Sequence, residues 1–234
     1  MTYIFLVAGK GLRLHPLTLK HPKSLYRLDE NTTILQRMID LIKKNDVNAE
    51  IVVVTGFMGN SIKEQINGAI FIDNPFYEFT NSIASLWFAK DYMDKDNLTI
   101  INGDVVMAEN LVEDILCKSV VRPFVLLDSS IKTDGDYNVQ ITQDKVLVMS
   151  KELDEYYGEY AGVSKLNNES AILLKNEVQL MVQEGMYDQW YEDALVQMIF
   201  RNNFNLYYKD ISEYSWTEVD CVSDLFYAKR IHLS

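Results

Sequence analysis

A short apolar run, Tyr3–Val7, leads straight into Ala8-Gly9-Lys10-Gly11-Leu12-Arg13-Leu14-His15-Pro16-Leu17-Thr18, and Pro22-Lys23 comes a few residues later. No other stretch of the chain constrains its fold as strongly. The run reads as a buried strand, and the glycines after it let backbone N–H groups approach an anion closely. Arg13 and Lys23 bring cations within reach of the same place. Strand, glycine-rich turn and cations together are the parts of a phosphate cradle. The spacing is neither the P-loop GxxxxGK[ST] nor the dinucleotide-binding GxGxxG. Taken alone, the glycines would also suit a plain strand–turn–helix connection with surface Arg and Lys.

Beyond this turn the chain alternates helix and strand signals. Thr33–Lys44 carries Ile34, Leu35, Met38, Ile39, Leu41 and Ile42 at helical spacing, with Asn31 or Thr32 as a candidate N-cap. Ile51–Thr55 is a β-branched run expected as a buried parallel strand. A short helix over Asn60–Ile66, a strand over Ala69–Ile72, a helix over Ser82–Tyr92 and a strand over Leu98–Ile101 continue the rhythm. Such βαβ alternation predicts a mostly parallel sheet with helices on both faces. The second half is richer in strands, expected at Phe124–Leu127, Val139–Ile141, Val146–Met149 and around Tyr160–Lys165, with turn signals at Asp134-Gly135 and Gln143-Asp144. Helices are expected around Ser170–Glu184 and Glu192–Arg201, a strand at Asn205–Tyr208 and a last helix at Val222–Ile231.

No low-complexity linker or internal repeat divides the 234 residues, and 48% hydrophobic content supplies a large core. The expectation is one domain over 1–234, with a nucleotide-binding half, 1–120, and an acceptor-binding half, 121–234. No apolar run is long enough to span a membrane, and no signal peptide is evident. Cys117 and Cys221 fit no metal spacing, so two reduced thiols in a cytoplasmic protein are expected. A formal net charge of −12 argues against a nucleic-acid footprint. His15, His21 and His232 form no triad or metal pattern.

Arg13, Pro16, Leu17, Thr18, Pro22 and Lys23 all fall at the spacing of LxxGxGxRLxPLT…PK. The segment therefore resembles the signature of the nucleotidyltransferases that activate phosphorylated sugars and alcohols. The resemblance implies an α/β, Rossmann-like (GT-A-like) fold, with a mixed, mostly parallel central sheet, helices on both faces and a small β-rich acceptor lobe. It places Leu6, Ala8, Gly9, Gly11 and Gly103 around a nucleotide. It gives Arg13 and Lys23 the catalytic task of stabilising phosphate charge as pyrophosphate departs.

Nucleotidyl transfer needs Mg²⁺, held by hard oxygen ligands. Asp104 ends the Leu98–Ile101 run within Asn102-Gly103-Asp104, at the strand end where open α/β sheets place ligands. Its motif also resembles the family's x-x-G/A-D metal motif. Thr217-Glu-Val-Asp220 resembles the late acidic motif, which makes Asp220 the second metal ligand; the other reading of Asp220 is a helix N-cap.

Asp73-Asn-Pro-Phe-Tyr-Glu-Phe-Thr-Asn-Ser-Ile-Ala-Ser-Leu86 resembles the N-x-x-Y…N-x-x-S-L segment of bacterial phosphocholine cytidylyltransferases. Asn81 and Ser85 would contact nucleotide or acceptor, although Thr80 or Asn81 would equally serve as an N-cap. Ser150-Lys-Glu-Leu153 and Gly158–Lys165 resemble the acceptor side of that branch, offering Lys151 for an acceptor phosphate and Glu159 for an amine or hydroxyl. Lys151 and Glu159 would also make a plain surface pair. Trp190-Tyr-Glu-Asp193 resembles a late aromatic–acidic motif, adding Trp190 and Glu192 to the acceptor set; aromatic residues nearby would cage a quaternary ammonium or simply pack.

The implied reaction joins CTP to a small phosphorylated acceptor, such as phosphocholine or a related amino-alcohol or amino-acid phosphate or phosphonate, with release of pyrophosphate. The alternatives are a sugar-1-phosphate nucleotidyltransferase using UTP or dTTP, and a non-catalytic nucleotide-binding regulatory subunit. A homodimer is a family-level expectation.

Overall fold

The computed structural model describes residues 1–130 and 137–233. The expected alternation is present as β1 (Thr2–Val7), α1 (Ile34–Asn45), β2 (Glu50–Thr55), α2 (Gly59–Gln65), β3 (Ile70–Asp73), α3 (Ser82–Phe88) and β4 (Leu98–Asn102). Then come β5 (Val105–Met107), α4 (Glu109–Leu111), β6 (Phe124–Asp128), β7 (Asn138–Thr142), β8 (Lys145–Ser150) and β9 (Gly158–Leu166). The chain finishes with α5 (Asn168–Gln183), α6 (Tyr191–Asn202), β10 (Tyr207–Asp210), β11 (Trp216–Glu218) and α7 (Val222–Leu233). The turn expected at Asp134-Gly135 lies outside the described residues.

Nine strands form one mixed sheet in the order β3-β2-β1-β4-β9-β6-β10-β8-β7. Its first four strands run parallel, with Ile4 opposite Val52 on one side and Ile100 on the other. Strand β9 runs antiparallel to both β4 and β6, and β10 lies parallel to β6. At its amino end β9 pairs with β7 instead of β4, so β7 contacts both β8 and β9. This mixed second half is the β-rich part expected beyond residue 120.

Strand alternation divides the core between the two faces of the sheet. Tyr3, Phe5 and Val7 pack with Val53 against Leu35, Met38 and Ile39 of α1. Ile4, Val52 and Val54 pack on the other side with Ile83 and Leu86 of α3 and with Val178 and Leu195 of α5 and α6. Burial on both faces explains why these strands read as continuous apolar runs.

Several boundaries differ from expectation for local reasons. The N-cap of α1 is Thr33, whose Oγ1 accepts from Gln36 N at 3.2 Å. Asn31 and Thr32 are engaged upstream, where their amides donate to Asp29 Oδ1 at 2.7 and 2.6 Å. The helix expected through Tyr92 stops at Phe88 and gives way to a 3₁₀ turn, Lys90–Tyr92. Strand β10 begins at Tyr207 rather than Asn205. The small β5–β11 ribbon has no counterpart among the expected elements; it pairs Trp216 with Met107 and Glu218 with Val105. Among the described residues no helix is long and apolar enough to cross a membrane.

One buried charge ties the two halves together. Lys165 on β9 is fully buried, and its ammonium donates to the carbonyls of Ile115, Leu116 and Lys118 at 2.8, 2.5 and 2.8 Å. These carbonyls end the turn after α4, where the helix no longer supplies partners. Lys165→Met removes the donor and strands the carbonyls. It is expected to lower unfolding stability by about 3 kcal/mol, read from the midpoint of urea denaturation; an unchanged midpoint would show that water replaces the ammonium.

Candidate active site

The carboxyl ends of β1 and β4 open a cleft of about 440 Å³. At its phosphate end the chain leaves β1 through Ala8-Gly9-Lys10-Gly11, all of which line the cleft together with Leu6. Gly11 has φ +62°, and a Cβ there would meet Lys23 Cγ at 2.7 Å. Only glycine lets the loop fold this tightly over the lysine. Thr18 Oγ1 pins the loop by donating to Gly11 O at 2.8 Å. Lys10 reaches across the mouth to Glu78 at 2.8 Å.

Gly103 brings the end of β4 against β1. Its N–H donates to Leu6 O at 3.0 Å, and a Cβ would lie 2.2 Å from Val7 Cγ1. Asp104 comes directly after it. The Asp104 carbonyl accepts from Val219 N at 3.0 Å, just beyond β11, and this contact brings Asp220 alongside. Lys23 Nζ then donates to Asp104 Oδ2 at 2.8 Å, Asp220 Oδ1 at 2.5 Å and Val219 O at 3.1 Å. Arg13 Nη1 donates to Asp220 Oδ2 at 3.0 Å. Burial works against the Lys23 ammonium, but Asp104 and Asp220 outweigh it and hold its pKa above the ordinary lysine range. The four residues expected at catalytic and metal positions, from distant parts of the sequence, therefore form one cluster.

The same cluster includes residues that the motifs do not single out. Glu218 lines the cleft, and Asn102 Nδ2 donates to its Oε1 at 3.3 Å. Burial first, and then the negative charges of Asp104 and Asp220, push the Glu218 carboxyl well above the usual range. Asn102 and Glu218 end β4 and β11, and each stands two residues before one of the aspartates, which lie in the chain just beyond those strands. That position at a strand's carboxyl end is the signal that could have found them.

The loop before α3 forms one wall. Asn74 is 1% exposed; its Nδ2 donates to Thr80 Oγ1 and Ser85 Oγ, both at 3.1 Å, and its Oδ1 accepts from Phe76 N at 2.9 Å. Asn81 is the N-cap of α3, accepting from Ser82 N at 2.9 Å, and it lines the cleft as well. Ser85 lines the cleft from a buried position.

The far end brings Lys151, Trp190 and Glu192 together with Tyr137 and Tyr160. Lys151 Nζ sits 4.2 Å from the Trp190 ring centroid. Asp193 supports the start of α6, accepting from Trp190 N at 3.0 Å and from Tyr137 Oη at 2.8 Å. Glu192 is 3% exposed, and its Oε2 has no hydrogen-bond partner among the described residues. Burial pushes its carboxyl up to about 8. Two of the expected residues do not line the cleft: Asp220, which Lys23 and Arg13 hold beside it, and Glu159. Glu159 lies within β9 between Asp128 of β6 and Asn138 of β7, while its neighbour Tyr160 lines the cleft. Alternation along the strand sends the two side chains to opposite faces.

Asp104 and Asp220 are hard oxygen ligands converging on one cation, here the Lys23 ammonium. Among the described residues no group of three or more His, Cys, Asp and Glu forms a ready metal cage. Two carboxylates with open positions suit an octahedral ion that keeps waters and takes substrate oxygens.

Residues 2–118, half of the chain, match the Nucleotidyl transferase family model, and the chain belongs to that family. It is accordingly a nucleotidyltransferase. It is 25% identical to the CTP:phosphoglutamine cytidylyltransferase of Campylobacter jejuni, over 96% of this chain and 98% of that protein. It is also 25% identical to the choline-phosphate cytidylyltransferase of Streptococcus pneumoniae, over 96% of this chain and 95% of that protein. The solved structure of the CTP:phosphocholine cytidylyltransferase from Streptococcus pneumoniae superposes with a TM-score of 0.77 at 20% identity, covering 99% of this chain and 98% of that one.

The raised Glu192 carboxyl gives a pH signature. Between its ordinary value of 4.5 and about 8 the folded state holds a proton that the unfolded chain has released, so this group lowers stability as pH rises. Glu192→Gln is expected to melt above the parent protein at pH 8, by about 2–4 °C or more. The difference should shrink toward pH 5. An equal gap at both pH values would mean that the carboxyl titrates normally.

Proposed function

We propose that the protein is a Mg²⁺-dependent cytidylyltransferase that joins CTP to a small phosphorylated acceptor and releases pyrophosphate. The observation that carries this reading is the convergence of Asp104, Asp220, Lys23 and Arg13 beside the glycine loop. Relatives aligned along nearly the whole chain are named as cytidylyltransferases, which favours CTP over other nucleotides.

In this reading the backbone of Ala8–Gly11 cradles the triphosphate, and Asn81 and Ser85 contact the nucleotide from the opposite wall. Asp104 and Asp220 would hold Mg²⁺, which would supply positive charge to offset the negative charge of the reacting phosphates. Lys23 moves from the carboxylates to phosphate oxygen as substrates enter. With Arg13 it stabilises the negative charge that grows on the leaving pyrophosphate. Lys151, Trp190 and Glu192 hold the acceptor at the far end, so that its phosphate oxygen faces the α-phosphorus in line. That oxygen is already ionised at neutral pH, so the chain supplies no general base. Positioning and electrostatics carry the rate.

Pyrophosphate release with Mg²⁺ tests this, crossing CTP, UTP, dTTP, ATP and GTP against amine-bearing acceptor phosphates and glucose-1-phosphate. Turnover is expected with CTP and an amine-bearing acceptor. Chelation should abolish it, and Asp104→Asn or Lys23→Ala should lower kcat by about 10²-fold or more. Turnover confined to UTP or dTTP with glucose-1-phosphate would replace the cytidylyl reading with a sugar-activating one.

A further inference from the structure

The far end of the cleft carries more information than the presence of an acceptor site. We propose, building on the transfer reading above, that it selects acceptors whose nitrogen bears hydrogen, such as a primary ammonium, and rejects their quaternary ammonium analogues.

The first observation is Glu192. Its side chain is buried, it lines the cleft, and its Oε2 accepts no hydrogen bond from the described residues. A buried acceptor atom without a donor is costly and calls for one from the ligand. The residues around it do not serve. Asn102 reaches the Glu192 carboxyl, but its Nδ2 is shared with Glu218 and leaves Oε2 open; Asp193 takes the Trp190 amide and the Tyr137 hydroxyl, and Lys151 is seated on the Trp190 ring. The Tyr160 and Tyr191 hydroxyls bond to each other and to Ser164. An ammonium N–H on the acceptor satisfies Glu192 Oε2 and lets the buried carboxyl give up the proton that it otherwise holds at neutral pH. A trimethylated nitrogen has no hydrogen to give and leaves that oxygen dry.

The second observation concerns the ring faces. A quaternary ammonium is bound by aromatic faces that surround it. Here the Trp190 face already holds a cation, Lys151 Nζ at 4.2 Å. A trimethylammonium entering that seat would meet a like charge and displace it. Tyr137 and Tyr160 are turned edge to face, at 67° and 6.3 Å between centroids. A hydrogen-bond acceptor left open and a cation seat already filled both favour an N–H-bearing nitrogen.

Equilibrium binding decides this independently of catalysis. Phosphoethanolamine and phosphocholine differ only in N-methylation. Each is titrated calorimetrically into the full chain saturated with Mg²⁺ and a non-hydrolysable α,β-methylene analogue of CTP. The parent protein is expected to bind phosphoethanolamine about tenfold or more tightly than phosphocholine. Glu192→Leu should bring the ratio close to one, chiefly by weakening phosphoethanolamine. The variant Lys151→Ala should free the Trp190 face and narrow the ratio, since any lost phosphate contact falls equally on both acceptors. Equal or tighter binding of phosphocholine by the parent overturns the proposal, as does a ratio unchanged in Glu192→Leu or in Lys151→Ala, or the absence of binding by either acceptor. Pyrophosphate release with CTP is followed separately. A preserved binding preference without release would sink the transfer reading and leave the recognition standing.

Discussion

The ammonium of Lys23 holds Asp104 and Asp220 together across a partly buried gap in which the two carboxylates would otherwise repel. The rest of the phosphate end depends on this contact. The loop must fold closely over the lysine, which excludes a side chain at Gly11. The end of β4 must press on β1, which excludes one at Gly103. The chain between β10 and α7 must return to β5, which the short β5–β11 ribbon accomplishes. Arg13 adds a second cation to the outer oxygen of Asp220. The cluster is internally balanced, with both cations already engaged by its carboxylates.

The sheet gives this cluster a rigid base. Strands β1, β2 and β4 are buried on both faces, and the helices that cover them leave their carboxyl ends open. Strand β9 couples the parallel half to the β-rich half through its pairing with β4 and β6, and Lys165 secures it to the end of the α4 turn. The two ends of the cleft are thus fixed relative to each other by backbone pairing.

Much of this is legible in the chain. The βαβ rhythm of the first half reads clearly because its strands are doubly buried and its helices amphipathic, so each leaves a periodic trace. Arg13, Lys23, Asp104 and the glycines are recognisable from spacing, and the structure brings them together with Asp220. Three-residue strands such as β5 and β11 are too short to show alternation, and they pair across more than a hundred intervening residues, so the ribbon leaves no local sign. Glu159 and Tyr160 show another limit. Their segment reads as a strand, but which neighbour faces the cleft depends on register with β6 and β7, which sequence does not encode locally. Asn102 and Glu218 escape the motifs although each ends the strand that leads to an assigned aspartate. The cap of α1 falls to Thr33 because an upstream turn on Asp29 already engages Asn31 and Thr32.

Lys151 lies in the turn that leaves β8, and Trp190 and Glu192 open α6, whereas Lys23, Asp104 and Asp220 sit around the ends of β1, β4 and β11. The two groups share a cleft but no secondary-structure element. On the proposed function, substitutions at the turn and the helix start would change which small molecule is chosen while keeping most of the phosphate machinery. Such a chain could then diversify by drift at a few positions in one turn and one helix start, its descendants carrying different chemical cargo on the same nucleotide handle.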